Sequence, residues 1–257
     1  MIDFNLPILS IITVHFKTEE KIARLCQSLQ KFPPHILWEH IIVDNHSNTP
    51  QWGQLKKTIE TFPHTHIVEL GSNMGFGRGN DEGLKFAKGK YIVFLNPDIQ
   101  ISSSGTFESL LETLQQYPQA GIVTPRLTSI QGTILSNTWE FPSFWSLLKK
   151  RLQKTQKTQP EPQIPFAVDW AQGSFLVLRR DLYDEIGGFD HRFFLFLEDT
   201  DLCRRVWEKG LKVIKVPTVV AIHEEKRLSG EDLFQSMMKK TFWIHVSSAL
   251  KYFWKWR

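Results

Sequence analysis

The chain has 257 residues, 41% of them hydrophobic, with 31 Lys plus Arg against 27 Asp plus Glu for a net charge of +4. That supplies core for one large domain or two small ones, and the net charge is too modest for the whole chain to act as a polycation, so only local basic patches bear on anionic partners. Two cysteines, Cys26 and Cys203, stand far apart without CxxC spacing, which argues against a zinc site or a disulfide framework and fits a reducing compartment, and no stretch reaches the ~18 apolar residues of a membrane span.

The opening stretch "MIDFNLPILSIITVHF" has Asp3 where a leader would be basic and no small-residue cleavage site, so it is expected to begin a cytoplasmic domain with its first strand. Apolar runs then alternate with helical patterns: Leu9–Val14 and a helix over Glu19–Gln30, Ile41–Val43 and Trp52–Phe62, Ile67–Leu70 and Asp81–Ala87, Tyr91–Leu95 and Thr106–Tyr117. Such alternation predicts βαβ units on a mostly parallel sheet flanked by helices, with ligands beyond the carboxyl ends of the strands. Three of those ends are unusual: Val43 runs into Asp44-Asn45, Leu70 into "GSNMGFGRGN", and Leu95 into Asn96-Pro97-Asp98.

Each end admits two readings. The glycines at 75, 77 and 79 suggest a phosphate-cradling loop, but a dinucleotide fingerprint needs G-x-G-x-x-G after the first strand; the alternative is a turn with Asn73 and Asn80 as turn formers. Asp44 suits a turn, and equally the N3–H of a uracil or thymine ring. Asp98 follows a proline that ends the strand, and a carboxylate fixed at a crevice can bind Mg²⁺ or Mn²⁺ through hard oxygen.

Past Gly121 the pattern changes. Residues 138–165 form a basic and aromatic insertion, with five lysines or arginines between Lys149 and Lys157 and then a Gln/Thr/Pro stretch. A strand in "GSFLVL", a helix from Asp181, and strands at Val213–Val216 and Val219–Ile222 follow. Between them, "FLFLEDTDLCRR" drives an apolar run into Glu198-Asp199. Helix N-termini favour acids, which accounts for Asp201 most easily. Partial burial of Glu198 and Asp199 would raise a carboxyl pKa and suit a general base.

Together, "SIITVHF", "IIVDNHS", "NMGFGRGNDEG", "YIVFLNPD", "QGSFLVLRRDLYDEIGGFD" and "FLEDTDLCRRVWEKG" closely resemble the family 2 glycosyltransferases of the GT-A fold, most of all their bacterial rhamnosyltransferase branch. The resemblance runs from Leu9 to His223. It implies an α/β GT-A domain over residues 1–228 and a donor site for a nucleotide sugar from Thr13, His15, Asp44, Asn45, Asn73, Gly75, Asn80, Asn96, Asp98, Gly173 and Ser174. Position 15 is commonly tyrosine in relatives. A divalent cation, Mg²⁺ or Mn²⁺, is implied at Asp98 and His223, although Asn96 replaces the first acid of the Asp-x-Asp motif. The implied reaction is an inverting transfer with Asp199 as base and Glu198 orienting it or touching the acceptor. The expected donor is dTDP-L-rhamnose, with UDP sugars (galactose, galactofuranose or N-acetylglucosamine) as the alternative, and a non-catalytic nucleotide-sugar-binding subunit as the reading from another class.

Residues 229–257 read as an amphipathic helix: Met238, Phe242, Val246, Ala249, Phe253 and Trp256 in one stripe, widened by Trp243, Leu250 and Trp254, with Lys240, Lys251 and Lys255 opposite. The face could pack on the protein's own core. Phe141, Phe144 and Trp145 ahead of Lys149, Lys150, Arg151 and Lys154 repeat the combination, which favours peripheral attachment to the anionic inner face of the plasma membrane and a lipid-linked oligosaccharide acceptor. No nucleic-acid-binding module accompanies the charge.

Overall fold

The computed structural model describes residues 7–143, 161–224 and 240–257. Strand β1 (Leu9–His15) leads into α1 (Glu19–Lys31), β2 (Trp38–Asp44) into α2 (Pro50–Ile59), β3 (Thr65–Glu69) into α3 (Phe76–Leu84), and β4 (Tyr91–Leu95) follows. The four strands lie in the order β3-β2-β1-β4, every neighbour parallel. Successive side chains go to opposite faces. Leu9, Ile11, Tyr91 and Val93 meet Leu25 and Leu29 of α1, whereas Ile12, Ile41, Val43, Ile92 and Phe94 meet Leu84 at the end of α3. Burial on both faces is why these strands read as unbroken apolar runs.

The second half adds β5 (Ile99–Ile101), α4 (Thr106–Gln116), β6 (Ala120–Thr128), β7 (Ile134–Leu135), β8 (Thr138–Trp139), β9 (Phe166–Val168), β10 (Trp170–Ala171), β11 (Phe175–Arg179), α5 (Arg180–Glu185), α6 (Glu198–Glu208), β12 (Lys212–His223) and α7 (Lys240–Lys255). The sheet continues from β4 as β11-β6-β12-β5, with β6 and β12 parallel and β11 and β5 antiparallel to their neighbours. Helices α1 and α4 cover one face; α3, α5 and α6 cover the other. Strands β8 and β10 form a separate pair in which the Trp139 and Trp170 rings lie 4.6 Å apart.

Strand β6 has no counterpart in the sequence-based expectation, and it carries Pro125, a residue that central strands rarely tolerate. Its pairing with β11 ends at Val123, and β12 shifts register between Val216 and Val220 opposite Pro125, so the proline occupies an irregular point of the ladder. The two strands expected at Val213–Val216 and Val219–Ile222 are one strand with this irregularity inside it.

Helix α3 begins at Phe76 rather than Asp81, and its glycines are what the close packing needs. A Cβ on Gly79 would sit 3.0 Å from Val14 Cγ1, and one on Gly83 would sit 2.6 Å from Val43 Cγ2 and 2.9 Å from Ile12 Cγ2. The glycine run therefore lets a helix lie directly on β1 and β2.

The C-terminal helix departs from the expected arrangement. Tyr252 is fully buried against Phe193 and Leu197, and Ala249, Phe253 and Trp256 pack around it, so half of the aromatic face covers the protein itself. Trp243, Leu250 and Trp254 remain 58%, 67% and 62% exposed. Lys251 Nζ donates to Arg192 O at 2.7 Å and Lys255 Nζ to Asp190 Oδ2 at 2.8 Å, so neither stands free on an opposite polar face. Met238 and the patch of Phe144, Trp145, Lys149, Lys150, Arg151 and Lys154 lie outside the described residues.

Gly83→Ala tests the close packing of α3. Alanine favours an isolated helix by ~1 kcal/mol over glycine, but the clash with Val43 and Ile12 is expected to make the variant less stable by about 1–3 kcal/mol. Urea unfolding with an unchanged or raised midpoint would show that α3 is not held at this distance.

Candidate active site

Strands β1, β2 and β4 end at one edge of the sheet, and the sequence passes from β1 to β2 on one side and later to β4 on the other. This is the switch point at which α/β sheets open a crevice. Asp44 and Asn45 stand at its β2 side, both buried. Asp44 Oδ1 accepts the backbone N–H of Ser47 at 3.0 Å. Asn45 clasps the glycine loop: its Nδ2 donates to Asn73 Oδ1 at 3.1 Å and Gly75 O at 3.0 Å, and its Oδ1 accepts Met74 N–H at 2.8 Å. Gly75 takes φ +83°, and a Cβ there would lie 2.0 Å from Phe194 O, so neither its conformation nor its space admits a side chain.

His15 is buried beside Asp44, with Nδ1 3.0 Å from Thr18 Oγ1, Nε2 3.1 Å from Ser47 Oγ, and its ring 4.6 Å from Trp52. Burial pushes the imidazole pKa down, against the opposing pull of Asp44 and Glu19. Thr13 Oγ1 is 3.0 Å from Nε2 of the buried His40, whose pKa burial pushes down to about 3. Asn80 Nδ2 donates to Phe76 O at 2.9 Å, one turn back in α3. Thr13, His15 and Asn80 thus all lie near the crevice, with their polar atoms engaged in holding its walls.

The Asn96-Pro97-Asp98 corner joins β4 to β5. Asn96 N–H still pairs with Ser174 O at 2.8 Å, Pro97 has no N–H to offer, and Ile99 N–H returns to Asn96 O at 3.1 Å. Strand β5 then pairs with the end of β12, with Ile99 opposite His223. Asp98 is thereby brought beside a residue 125 positions later in the chain, its Oδ1 3.3 Å from His223 Nε2. Lys21 of α1 donates to Asp98 Oδ2 at 2.8 Å. Burial works to raise the Asp98 pKa, but His223 and Lys21 outweigh it and hold the carboxyl at about 2.

Glu198 and Asp199 open α6. Asp199 Oδ2 accepts Gly173 N–H at 2.9 Å and Oδ1 accepts Thr200 N–H at 2.7 Å. Asp199 keeps part of its surface accessible, while Glu198 is buried and its Oε2 has no hydrogen-bond partner. Burial raises both carboxyl pKa values, with Asp199 adding to the rise at Glu198 and the Gly173 and Thr200 N–H groups restraining it at Asp199. Phe196 and Leu197, immediately before the pair, have φ +69° and +68°. Two bulky residues in the left-handed region cost of order 1–3 kcal/mol each. Tertiary contacts must therefore hold this turn.

Ser174 Oγ and Asp98 Oδ1 are, like Glu198 Oε2, buried without a hydrogen-bond partner. The Asp199 and Asp98 ends of the crevice are joined at the start of β11: Ser174 O accepts Asn96 N–H, and its neighbour Gly173 N–H donates to Asp199. Among the described residues no three His, Cys, Asp or Glu side chains gather as a complete metal cage. Asp98 Oδ1 and His223 Nε2 fit two neighbouring ligands of one octahedral ion, which lie about 3 Å apart; a hard divalent ion bound by so few side chains completes its shell with phosphate oxygens and water. Lys21, Trp52 and Ser47 escaped the sequence reading. The only sequence signal for Lys21 was its position in the first turn of the helix that follows β1.

The signature of "Glycosyl transferase family 2" matches residues 10–187, and that of "N-terminal domain of galactosyltransferase" matches residues 154–228. The chain is 24% identical over 254 residues to the N-acetylglucosaminyl-diphospho-decaprenol L-rhamnosyltransferase of Mycobacterium tuberculosis, covering 88% of this chain and 78% of that one. It is 26% identical over 256 residues to rhamnosyltransferase WbbL of Escherichia coli, covering 94% and 91%. In fold it is similar to GalNAc-T7 solved with UDP, GalNAc and Mn²⁺ (TM-score 0.70, 18% identity, 90% of this chain and 46% of that one). It also resembles a mannosyltransferase of Pyrobaculum calidifontis solved with GDP-Man and Mn²⁺ (TM-score 0.63, 18% identity, 87% and 59%), so it spans about half the length of these structural relatives. With the family signature covering well over half of the chain and the crevice built at the switch point of a GT-A sheet, this chain belongs to the family 2 glycosyltransferases.

Proposed function

We propose that this enzyme transfers L-rhamnose from dTDP-L-rhamnose, with inversion, to a hydroxyl of a lipid-linked saccharide in cell-surface polysaccharide synthesis. The observation that carries the mechanism is Asp199: an accessible carboxylate at the crevice, oriented by two backbone N–H groups, with its pKa raised by burial. Such a group takes a proton from an attacking hydroxyl at neutral pH. Its neighbour Glu198 touches the acceptor or holds Asp199 in place. Asp44 and Asn45, with Asn73 and Gly75, bind the nucleotide at the β2 side of the crevice, and Ser174 and Asn96 lie on the path from there to Asp199.

Asp98 and His223 would hold a divalent cation, whose chemistry is to neutralise charge growing on the departing diphosphate. Lys21, already on Asp98, adds positive charge to the same corner. The rhamnosyl donor is supported by the names of the relatives from Mycobacterium tuberculosis and Escherichia coli. A UDP-sugar donor is the second reading, supported by the fold it shares with UDP-bound GalNAc-T7.

No described helix is long and apolar enough to cross a membrane. The exposed Trp243, Leu250 and Trp254 recur at helical spacing on one side of α7, which suits peripheral contact with an anionic bilayer on the cytoplasmic side, where a lipid-linked acceptor is presented.

Asp199→Asn is expected to lower kcat by about 10²–10⁴-fold with donor affinity intact. In the unaltered enzyme kcat/KM should fall as pH drops through a pKa above the ordinary carboxylate range, since the base works only when ionised; near-normal turnover by the variant would remove Asp199 from this role. In a thermal-shift panel, dTDP-L-rhamnose should stabilise the protein more than UDP sugars do and more strongly with Mn²⁺ or Mg²⁺, and Asp98→Ala should abolish the cation's contribution. Greater stabilisation by UDP sugars would reassign the donor, and a metal response surviving in Asp98→Ala would reassign the cation site. Replacing Trp243 and Trp254 with serine is expected to reduce co-sedimentation with anionic vesicles at low salt, and unchanged sedimentation would place the membrane contact elsewhere.

A further inference from the structure

The turn that delivers the base is held from two sides. On the sheet side, Phe76 N–H donates to Phe194 O at 3.0 Å. On the other side the contacts come from the C-terminal helix, 53 to 65 residues further along the chain. Ser248 Oγ–H donates to Leu195 O at 2.8 Å, Lys251 and Lys255 reach Arg192 O and Asp190, and Tyr252 is buried against Phe193 and Leu197.

The contacts converge on Asp201, in the first turn of α6 and two residues after Asp199. Its carboxylate is fully buried, and its N–H closes that turn on Leu197 O at 2.9 Å. Asp201 Oδ2 takes Arg205 Nε at 2.9 Å, and Oδ1 takes both Lys255 Nζ at 2.7 Å and Trp256 Nε1 at 2.9 Å. The Trp256 ring is in turn fixed by the Arg204 guanidinium, 4.6 Å from its centroid. A buried carboxylate with two cations and an indole N–H has little freedom to move. Any roll of the first turn of α6 that would carry Asp199 away from Gly173 N–H must break this set.

We propose that Trp256 is a positioning residue for the general base: through Asp201 it fixes the first turn of α6 and so the direction of the Asp199 carboxylate. This inference rests on the reading of Asp199 as the base. The C-terminal helix is then part of the catalytic apparatus as well as a surface element, and its inward face matters to the rate of transfer rather than to donor binding.

The test is steady-state kinetics on the full chain for Trp256→Phe, which keeps an aromatic ring but loses the indole N–H donor, for Asp201→Asn, and for the double variant. Trp256→Phe is expected to lower kcat by about 10- to 100-fold, the scale of a small misplacement of a reacting group, while the donor KM stays within about twofold. The double variant should be no slower than Asp201→Asn alone, because the two residues act through one contact. Wild-type kcat in Trp256→Phe, or losses that multiply in the double variant, would overturn the proposal. If either variant fails to fold, Lys255→Met, which removes a different donor to the same oxygen, is read by the same split between kcat and KM. Asp199→Asn assayed in parallel separates the two layers: turnover by that variant sinks the base assignment, whereas an inactive Asp199→Asn beside a fully active Trp256→Phe sinks only the role given to Trp256.

Discussion

A parallel strand can reach its parallel neighbour only by crossing the full length of the sheet, so each of β1, β2 and β4 must leave its following loop at the same edge. The rest of the site depends on this constraint. It gathers Asp44, Asn45 and Asp98 from positions separated along the chain and leaves the opposite edge to connecting turns. The antiparallel strand β11 then enters beside β4 from the other direction, so that its beginning, not its end, meets the crevice; Gly173 and Ser174 are there for that reason. A purely parallel sheet would have placed them at the far edge.

Within that crevice two kinds of carboxylate environment sit side by side. Asp98 is partly buried but faces an imidazole and an ammonium, and the charges win over desolvation, so it stays ionised throughout the physiological range. Glu198 is buried and the adjacent Asp199, which accepts the Gly173 and Thr200 N–H groups, is only partly accessible, and desolvation wins at both. Opposite shifts suit these acids to the two roles proposed for them, binding charge and accepting a proton, as in other sites where two carboxyl groups divide the chemistry. The left-handed Phe196 and Leu197 add conformational cost on top of the desolvation. Such a turn persists because the contacts around it, from the α3 N-terminus on one side and α7 on the other, over-determine its shape.

The C-terminal helix illustrates how packing divides an amphipathic surface. Ala249, Tyr252, Phe253 and Trp256 follow the i, i+3, i+4, i+7 spacing of one buried stripe, while Trp243, Leu250 and Trp254 define another that faces outward. Both stripes are aromatic, so hydropathy alone merges them. Lys255 lies next to the buried one because two aspartates, the partly buried Asp190 and the fully buried Asp201, are there to receive it.

Apart from the short β5, the alternation of strands and helices up to residue 117 and the three strand ends that line the crevice were determined by the sequence itself, because they rest on local periodicity and on residues adjacent in the chain. The acidic pair Glu198-Asp199 at the start of α6 was legible for the same reason. Strand β6 was not, since its proline is tolerated only by an irregularity in β12 nearly a hundred residues away, and the start of α3 was hidden by glycines whose use is to fit against Val14, Val43 and Ile12. The placing of His223 beside Asp98 was implied only by the family resemblance, and tertiary structure alone decided that Lys21 pairs with Asp98 across 77 positions and that Trp256 reaches Asp201 across 55. These are contacts between side chains whose own neighbours in the chain carry no trace of the partner; only the closing of the sheet and the docking of α7 bring them within reach.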